Sequence, residues 1–394
     1  MTTAERTPEV SFVLPCLDEA ETLGACLDEI AQCIAQGGYA AEVIVADNGS
    51  RDGSQRIARE RGARVVEVAE RGYGSALRAG FLAARGRYLV MGDSDLSYDF
   101  REAPALVELL RGGCDLAMGS RFRGRIEQGA MPWKHRWLGN PVLSWIGRRL
   151  FAVRVSDFHC GLRALSKDAF LRMHTCTSGM EFASELVVRA ALSGMHIGEA
   201  PVTLRPDGRS RAPHLRSFRD GWRHLRYLLC MAPRFTLALP GLFVMLVGLV
   251  AAALTARGTF WVGAVGFDIG TLVAGALALV VGYQWVTAAI AVRLFAHTSA
   301  FGPASPRLER AFGFFRLELG LAAGALCALA GLALVVARLL EWRAAGYGRL
   351  DPSESARAMI GAATLIALGA QTVFASFVYS MYGLQREVER GGRA

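Results

Sequence analysis

No Cys-x-x-Cys occurs among the eight cysteines of this 394-residue chain, and no cysteine pairs with a histidine at the spacing of a zinc site. A zinc knuckle and a dithiol redox motif are excluded, and the thiols are expected to be reduced, cytosolic packing residues. No Gly-x-Gly-x-x-Gly follows the first apolar strand, which argues against a dinucleotide-binding domain. The Gly72-Tyr73-Gly74 turn stands before a later helix, where Gly74 is expected to let backbone approach a substrate or to tighten the helix start. No apolar leader opens the chain, since residues 1–9 are polar, so no signal peptide is expected. The net charge of +9 is not laid out as a basic patch interleaved with aromatics. Nucleic acid is therefore not an expected partner, and anionic lipid headgroups are.

Long apolar runs are present, all in the second half. Four candidate spans are read at 235–254, 270–292, 317–340 and 359–384. Each approaches or exceeds the roughly 20 residues needed to cross a bilayer, and charge is scarce within them. Ahead of the first span stand Arg205, Arg209, Arg211, Arg216, Arg219, Arg223, Arg226 and Arg234. Between spans two and three lie Arg293, Arg307, Arg310 and Arg316, and the tail carries Arg386, Arg390 and Arg393. The opposite loops hold Arg257, Arg343, Arg349 and Arg357. Positive residues collect on the cytoplasmic side, so both termini and the front domain are expected there, in a plasma-membrane protein. Residues 213–233 mix His214, Arg216, Arg219 and Arg223 with Leu215, Phe218 and Trp222, the pattern of an amphipathic helix in the membrane interface.

The front half, 1–212, reads as alternating strands and helices. Strands are expected at 10–14, 42–46, 64–68, 87–92 and 115–118, with helices at 22–35, 54–61 and 75–85 between them. This rhythm predicts an α/β domain with a mostly parallel sheet, whose ligands bind beyond the carboxyl ends of the strands. An α-helical membrane domain, 234–394, is expected to follow.

Asp93-Ser94-Asp95 closes the fourth strand. Two carboxylates at i and i+2 reach one hard cation together, and Mg²⁺ or Mn²⁺ is completed by substrate phosphates. Glu19, Asp47 and Asp52 stand at other strand ends and are suited to accept hydrogen bonds from a base and ribose, although Asp52 is also placed to cap the helix near Ser54.

These clusters, in order, resemble the family 2 glycosyltransferases with a GT-A fold, and most of all the polyprenyl-phosphate sugar synthases of the dolichyl-phosphate mannose synthase group. Leu14-Pro15-Cys16-Leu17-Asp18-Glu19 resembles the opening Pro-x-Tyr-Asn-Glu. The run from Asp47 to Ser54 resembles Asp-Asp-x-Ser-x-Asp-Gly-Thr, and Gly74 to Gly80 resembles Gly-x-Ala-x-x-x-Gly. Gly119-Ser120-Arg121, Asp157 to Arg163, and Arg205-Pro206-Asp207-Gly208-Arg209-Ser210 follow in the family's sequence. Leu17, Asp18, Asn48 and Ser97 depart from the usual Tyr, Asn, Asp and Gln, which leaves the base and the sugar open.

The resemblance implies a metal-dependent, inverting transfer of a hexose from UDP-glucose or GDP-mannose to a polyprenyl phosphate. It implies Asp93 and Asp95 on Mg²⁺ or Mn²⁺, Arg121 as a catalytic group, and Pro15, Leu17, Glu19, Asp47, Asp52, Gly74 and Asp93 around the nucleotide sugar. Arg121, Arg136 and Arg205 are expected on the acceptor phosphate, with Asn140 nearby and Arg209 on the same segment as Arg205. A homo-oligomer is allowed but not specified. One rival is a processive polysaccharide synthase, whose Gln-x-x-Arg-Trp is not matched ahead of Arg136-Trp137. Another is a membrane scaffold with an inactive domain, against which the aspartate pair and the arginines speak.

Overall fold

The structure is a computed structural model that describes residues 7–211, 216–298 and 317–391, with backbone alone at 297–298 and 383–391. Arg307, Arg310, Arg316 and Arg393, used above for orientation, lie outside the described residues, as do His214 and Leu215. The side chains of Arg386 and Arg390 are likewise outside them. The chain forms two compact units, Met1–Met231 and Ala232–Ala394.

The first unit is built on a seven-stranded sheet. β1 (Val10–Cys16) pairs in parallel with β2 (Ala41–Asp47) and β4 (Tyr88–Met91), and β2 with β3 (Arg64–Glu67). β6 (Arg163–Ser166) runs antiparallel between β4 and β5 (Leu116–Ile126), and β7 (Ile197–Leu204) pairs in parallel with β5. The strand order is β3-β2-β1-β4-β6-β5-β7. Both faces are covered, so β1 and β4 read as near-continuous buried apolar runs rather than alternating ones. On one face α1 (Leu23–Gly37) buries Leu23, Cys26, Leu27, Ile30 and Cys33, one stripe at three- and four-residue spacing. It ends where Gly38 takes φ 63° and returns its N–H to the Ile34 carbonyl. On the other face lie α3 (Tyr73–Ala83) and α7 (Phe182–Leu192), with Phe81, Phe158, Phe170 and Phe182 in the core. α2 (Ser54–Glu60), α4 (Ala103–Arg111), α5 (Asn140–Phe151) and α6 (Lys167–Met173) complete the layers. α8 (Ser217–Cys230) closes this unit: it buries Asp220, His224, Tyr227 and Leu228 and leaves Phe218 and Trp222 exposed.

The second unit contains α9 (Leu239–Thr255), a small hairpin of β8 (Phe260–Val262) and β9 (Val265–Phe267), α10 (Ile269–Thr298), α11 (Leu317–Ala344) and α12 (Pro352–Gly391). Four helices among the described residues are long and apolar enough to cross a membrane. Glycines set their packing. A Cβ at Gly248 would lie 2.4 Å from the Leu279 nitrogen, and one at Gly369 would lie 2.6 Å from the Ala328 nitrogen. Such close backbone approach is how membrane helices gain contact without a hydrophobic driving force. At one end of the bundle Arg357 pairs with Asp268 and donates to the Thr255 carbonyl at 3.0 Å, so three helix ends meet on one guanidinium.

Candidate active site

Beyond the carboxyl ends of β1, β2 and β4 the first unit encloses a cavity of about 800 Å³. Asp93 and Asp95 both line it. The Tyr73 hydroxyl donates to Asp93 Oδ1 at 3.1 Å. Behind that carboxylate stands Gly161, where a Cβ would lie 2.5 Å from Asp93 Oδ2. Asp95 Oδ1 accepts from the Ser97 backbone N–H at 3.0 Å and from the Ser97 hydroxyl. The residue between them, Leu96, has φ 64°, a left-handed turn that costs a leucine about 1–3 kcal/mol and is held by the Gly208 N–H on the Asp95 carbonyl at 2.9 Å. Burial, and then the Asp95 charge, raise the Asp93 carboxyl to about 7, against the Tyr73 bond and the charges of Arg209 and Arg163. Two ionised carboxylates side by side are thus disfavoured here unless positive charge stands beside them, and Arg209 supplies part of it at Asp95. No group of three or more histidine, cysteine, aspartate or glutamate side chains forms a cation site among the described residues. Two carboxylates fit Mg²⁺ or Mn²⁺ whose other ligands are phosphate and water oxygens.

Pro15, Leu17 and Glu19 line the same cavity. Their loop turns at Asp18, φ 56°, whose Oδ1 accepts from the Arg51 N–H at 2.7 Å. A short side chain that bonds locally is the type that tolerates this backbone. Glu19 is buried, which pushes its carboxyl up against the pull of Arg209 and Arg211. Arg209 Nη1 lies 3.1 Å from Glu19 Oε1, and Nη2 lies 2.7 Å from Asp95 Oδ2 and 3.1 Å from Asp207. Arg211 Nη2 lies 2.9 Å from Glu19 Oε1. Ser210 donates twice to Glu21, at 2.8 and 2.6 Å. The 207–211 segment is thereby tied to the loops after β1 and β4, and Arg209, expected on the acceptor phosphate, sits on carboxylates instead.

Other expected residues have local partners. Asp47 accepts from the Gly49 and Ser50 N–H groups and from Gln55 Nε2 at 2.7 Å, and does not line the cavity. Its neighbour Asn48 does line it, accepting from the Gly72 N–H at 2.6 Å and donating to the carbonyls of Val68 and Glu70. Asp52 is exposed and accepts from the Ser54 N–H at 3.0 Å and the Ala20 N–H at 2.8 Å, supporting the start of α2. Gly74 is also outside the lining. The backbone it approaches is the chain's own, since a Cβ there would lie 2.4 Å from the Thr177 carbonyl oxygen.

The arginines divide unexpectedly. Arg121 is buried in a two-pronged bond to Asp157, at 2.6 and 2.8 Å, which holds its guanidinium charged. Arg205 is held likewise by Glu29, at 2.9 Å twice, and by the Tyr98 carbonyl at 2.6 Å. Both line the cavity, as does Asn140. Arg136 does not: it is exposed, with its guanidinium 5.6 Å from the Trp137 ring centre. In its place α8 brings Arg216, Arg219 and Arg223 to the cavity. Arg219 and Arg223 are one turn apart on the same helix face and Arg216 is the N-cap residue at its start, a signal present in the sequence but read there as headgroup charge.

Comparison with known proteins follows this geometry. Residues 11–173 match the family described as Glycosyl transferase family 2, and residues 290–383 match the Glycosyltransferase family 2 C-terminal transmembrane region. The chain is 35% identical over 377 residues to the Low-salt glycan biosynthesis hexosyltransferase Agl6 of Haloferax volcanii, spanning 95% of this chain and 89% of that protein. It is 32% identical to a Dolichyl-phosphate hexose transferase of the same organism, over 50% of this chain and 83% of the relative. A Dodecaprenyl-phosphate galacturonate synthase of Rhizobium johnstonii is 28% identical over 76% of this chain and 90% of its own length. Among solved structures, glucosyl-3-phosphoglycerate synthase from Mycobacterium tuberculosis superposes with a TM-score of 0.46 at 23% identity, over 58% of this chain and 81% of that one. The chain belongs to glycosyltransferase family 2 and is a membrane glycosyltransferase with a GT-A-like sheet and the family's C-terminal transmembrane region.

Proposed function

We propose that the enzyme moves a hexose from UDP-glucose or GDP-mannose to a polyprenyl phosphate, with inversion at the anomeric carbon, at the cytoplasmic face of the cell membrane. The observation that carries this reading is the charge layout of one cavity, which combines the Asp93/Asp95 pair with guanidinium groups from β5, the 205–211 segment and α8. Carboxylates suit the cation of a metal–diphosphate, and guanidinium groups suit an acceptor that is itself a phosphate. Mg²⁺ or Mn²⁺ held by Asp93 and Asp95 would neutralise charge on the leaving diphosphate. Tyr73 and Ser97 fix the two carboxylates, and Pro15, Leu17 and Asn48 line the space for the nucleotide.

The acceptor oxygen is already anionic near pH 7. It attacks the anomeric carbon, the bond from that carbon to the diphosphate oxygen breaks, and the electron pair leaves with the nucleoside diphosphate. No side chain has to take a proton, unlike transfer to a sugar hydroxyl. A lipid acceptor is supported by exposed aromatics on the segments beside the cavity, with Trp133, Trp137 and Trp145 near and within α5, and Phe218 and Trp222 on α8. Amphipathic rings of this kind favour the headgroup boundary, and α8 is assigned there. The names of two relatives, a dolichyl-phosphate hexose transferase and a dodecaprenyl-phosphate galacturonate synthase, support the same acceptor class.

The test is a panel of labelled sugar nucleotides incubated with membranes holding the enzyme and polyprenyl phosphate, followed by lipid extraction. One sugar nucleotide should give a labelled monophosphate lipid. Label in a polymer would favour the processive reading, and no transfer from any donor would favour the scaffold.

A further inference from the structure

The cavity holds more guanidinium groups than one acceptor needs, and their partners sort them. Arg121 is matched by Asp157, Arg205 by Glu29, and Arg209 by Asp95 and Glu19. Arg219 lies 3.3 Å from Asp220 on its own helix. Arg71, Arg216 and Arg223 also line the cavity with no carboxylate ion pair among the described residues; Arg71 stands on the loop before α3, and the other two belong to one segment at the start of α8. We infer that Arg216 and Arg223, on the cavity edge of α8, form the clamp for the acceptor's monophosphate. The inference rests on the transfer reaction proposed above and names the groups that bind its acceptor.

The first argument is charge. A guanidinium already held in a two-pronged carboxylate bond has its best donor pair engaged, and moving it to a phosphate leaves the buried carboxylate uncompensated. Asp157 is fully buried, so that exchange is disfavoured at Arg121. Arg216 and Arg223 are held in no two-pronged carboxylate bond. The second argument is placement. Arg223 Nη1 and Glu181 Oε2 stand 2.8 and 2.5 Å from where a Gly179 Cβ would be, so Arg223 is set against the 179–180 turn that also lines the cavity, near a carboxylate with which it makes no hydrogen bond. The Arg216 N–H is anchored on Asp220 at 2.7 Å, which fixes the first turn of α8 at the cavity mouth. The third is the other edge of the helix. Phe218 is 92% exposed and Trp222 58% exposed, so one helix offers cations to the phosphate and aromatic rings to the hydrocarbon attached to it.

The experiment uses the full chain in detergent, with Mn²⁺, and two titrants measured separately by calorimetry: farnesyl phosphate for the monophosphate, and UDP or GDP for the diphosphate. Arg216→Ala and Arg223→Ala should each weaken farnesyl phosphate about tenfold, as expected for loss of one charge-assisted contact, and Arg223→Lys should recover part of it. Nucleotide binding should change less than about twofold, and its retention shows that the variants are folded. Unchanged farnesyl phosphate binding in both variants overturns the clamp. Loss of nucleotide binding with farnesyl phosphate unaffected also overturns it, by moving these arginines to the donor. If the unaltered enzyme binds nucleotide but no farnesyl phosphate, the transfer reading itself fails and the clamp with it.

Discussion

Arg209 Nη2 lies 2.7 Å from Asp95 Oδ2, so the outer carboxylate of the strand-end pair is held by a cation from its own chain. A divalent ion on that oxygen must share it with Arg209 or displace it.

Arg209→Ala should therefore tighten Mn²⁺ binding by about tenfold, the worth of one charge-assisted bond removed from the competing state. Arg209→Lys should fall between. Manganese resonance titration of the full enzyme reads this directly, and weaker binding in Arg209→Ala would show that Arg209 supports the ion instead. On the proposed metal site, Asp95→Asn should lose Mn²⁺ affinity and at least about a hundredfold in turnover, because one of the two proposed ligands is gone.

Arg121→Ala should act on stability before it acts on acceptor use. It leaves the fully buried Asp157 carboxylate without its partner, at a cost of about 3–5 kcal/mol. Arg121→Lys should not restore the protein, since an ammonium cannot make the two-pronged bond. Thermal unfolding in detergent distinguishes this from an acceptor role, in which a stable variant would have a raised KM for lipid phosphate.

His224 predicts acid sensitivity. Burial, and then the Arg163 charge, push it down to about 4, with Asp220 pulling the other way. His159 packs edge-on at 4.5 Å and is also driven down by burial, and Ser184 Oγ bridges the two rings at 3.1 and 2.8 Å. Between pH 6.5 and 4 the unfolded imidazole takes up a proton that the folded one refuses. Stability falls on acidification by about 1.4 kcal/mol per pH unit from this one group. His224→Gln should flatten the fall in melting temperature between pH 6.5 and 5, relative to the unaltered enzyme.

The four-helix arrangement makes a topological prediction. In a cysteine-depleted background, single cysteines at Gly258 and Gly346 should react with an impermeant maleimide from one side of the membrane. One at Thr7 should react only from the other, cytoplasmic side. Labelling of all three from one side would mean that the helix between Thr7 and Gly258 does not cross, and would overturn the four-span arrangement.

The aspartate pair was legible because a short apolar run fixes where β4 ends, and a parallel sheet sends its ligands to that end. The membrane helices were legible from their length and lack of charge. The partners of the polar residues were not. An aspartate that closes a turn, as Asp47 does, and one that binds a ribose have the same local sequence, and only packing separates them. Arg121 meets Asp157 across 36 residues and a strand register that no local pattern encodes. β6 was missed for a related reason. It is four residues long and contains Arg163, which is buried because three carbonyls, those of Phe158, Cys160 and Ala183, accept from it. Arg136 and Arg223 are equivalent as letters, and only the fold places one on an exposed segment before α5 and the other on the cavity side of α8.

Gly161 contributes no chemical group, yet its missing methyl makes the room that Asp93 occupies. Every amino-acid change at that codon adds a Cβ where a carboxylate oxygen already stands. In a screen of random variants, position 161 should behave like an active-site residue: enzyme accumulates in the membrane, product does not, and alanine is scored with the severe alleles. Loss of function there would be a lesion of space, which a search confined to reactive side chains overlooks.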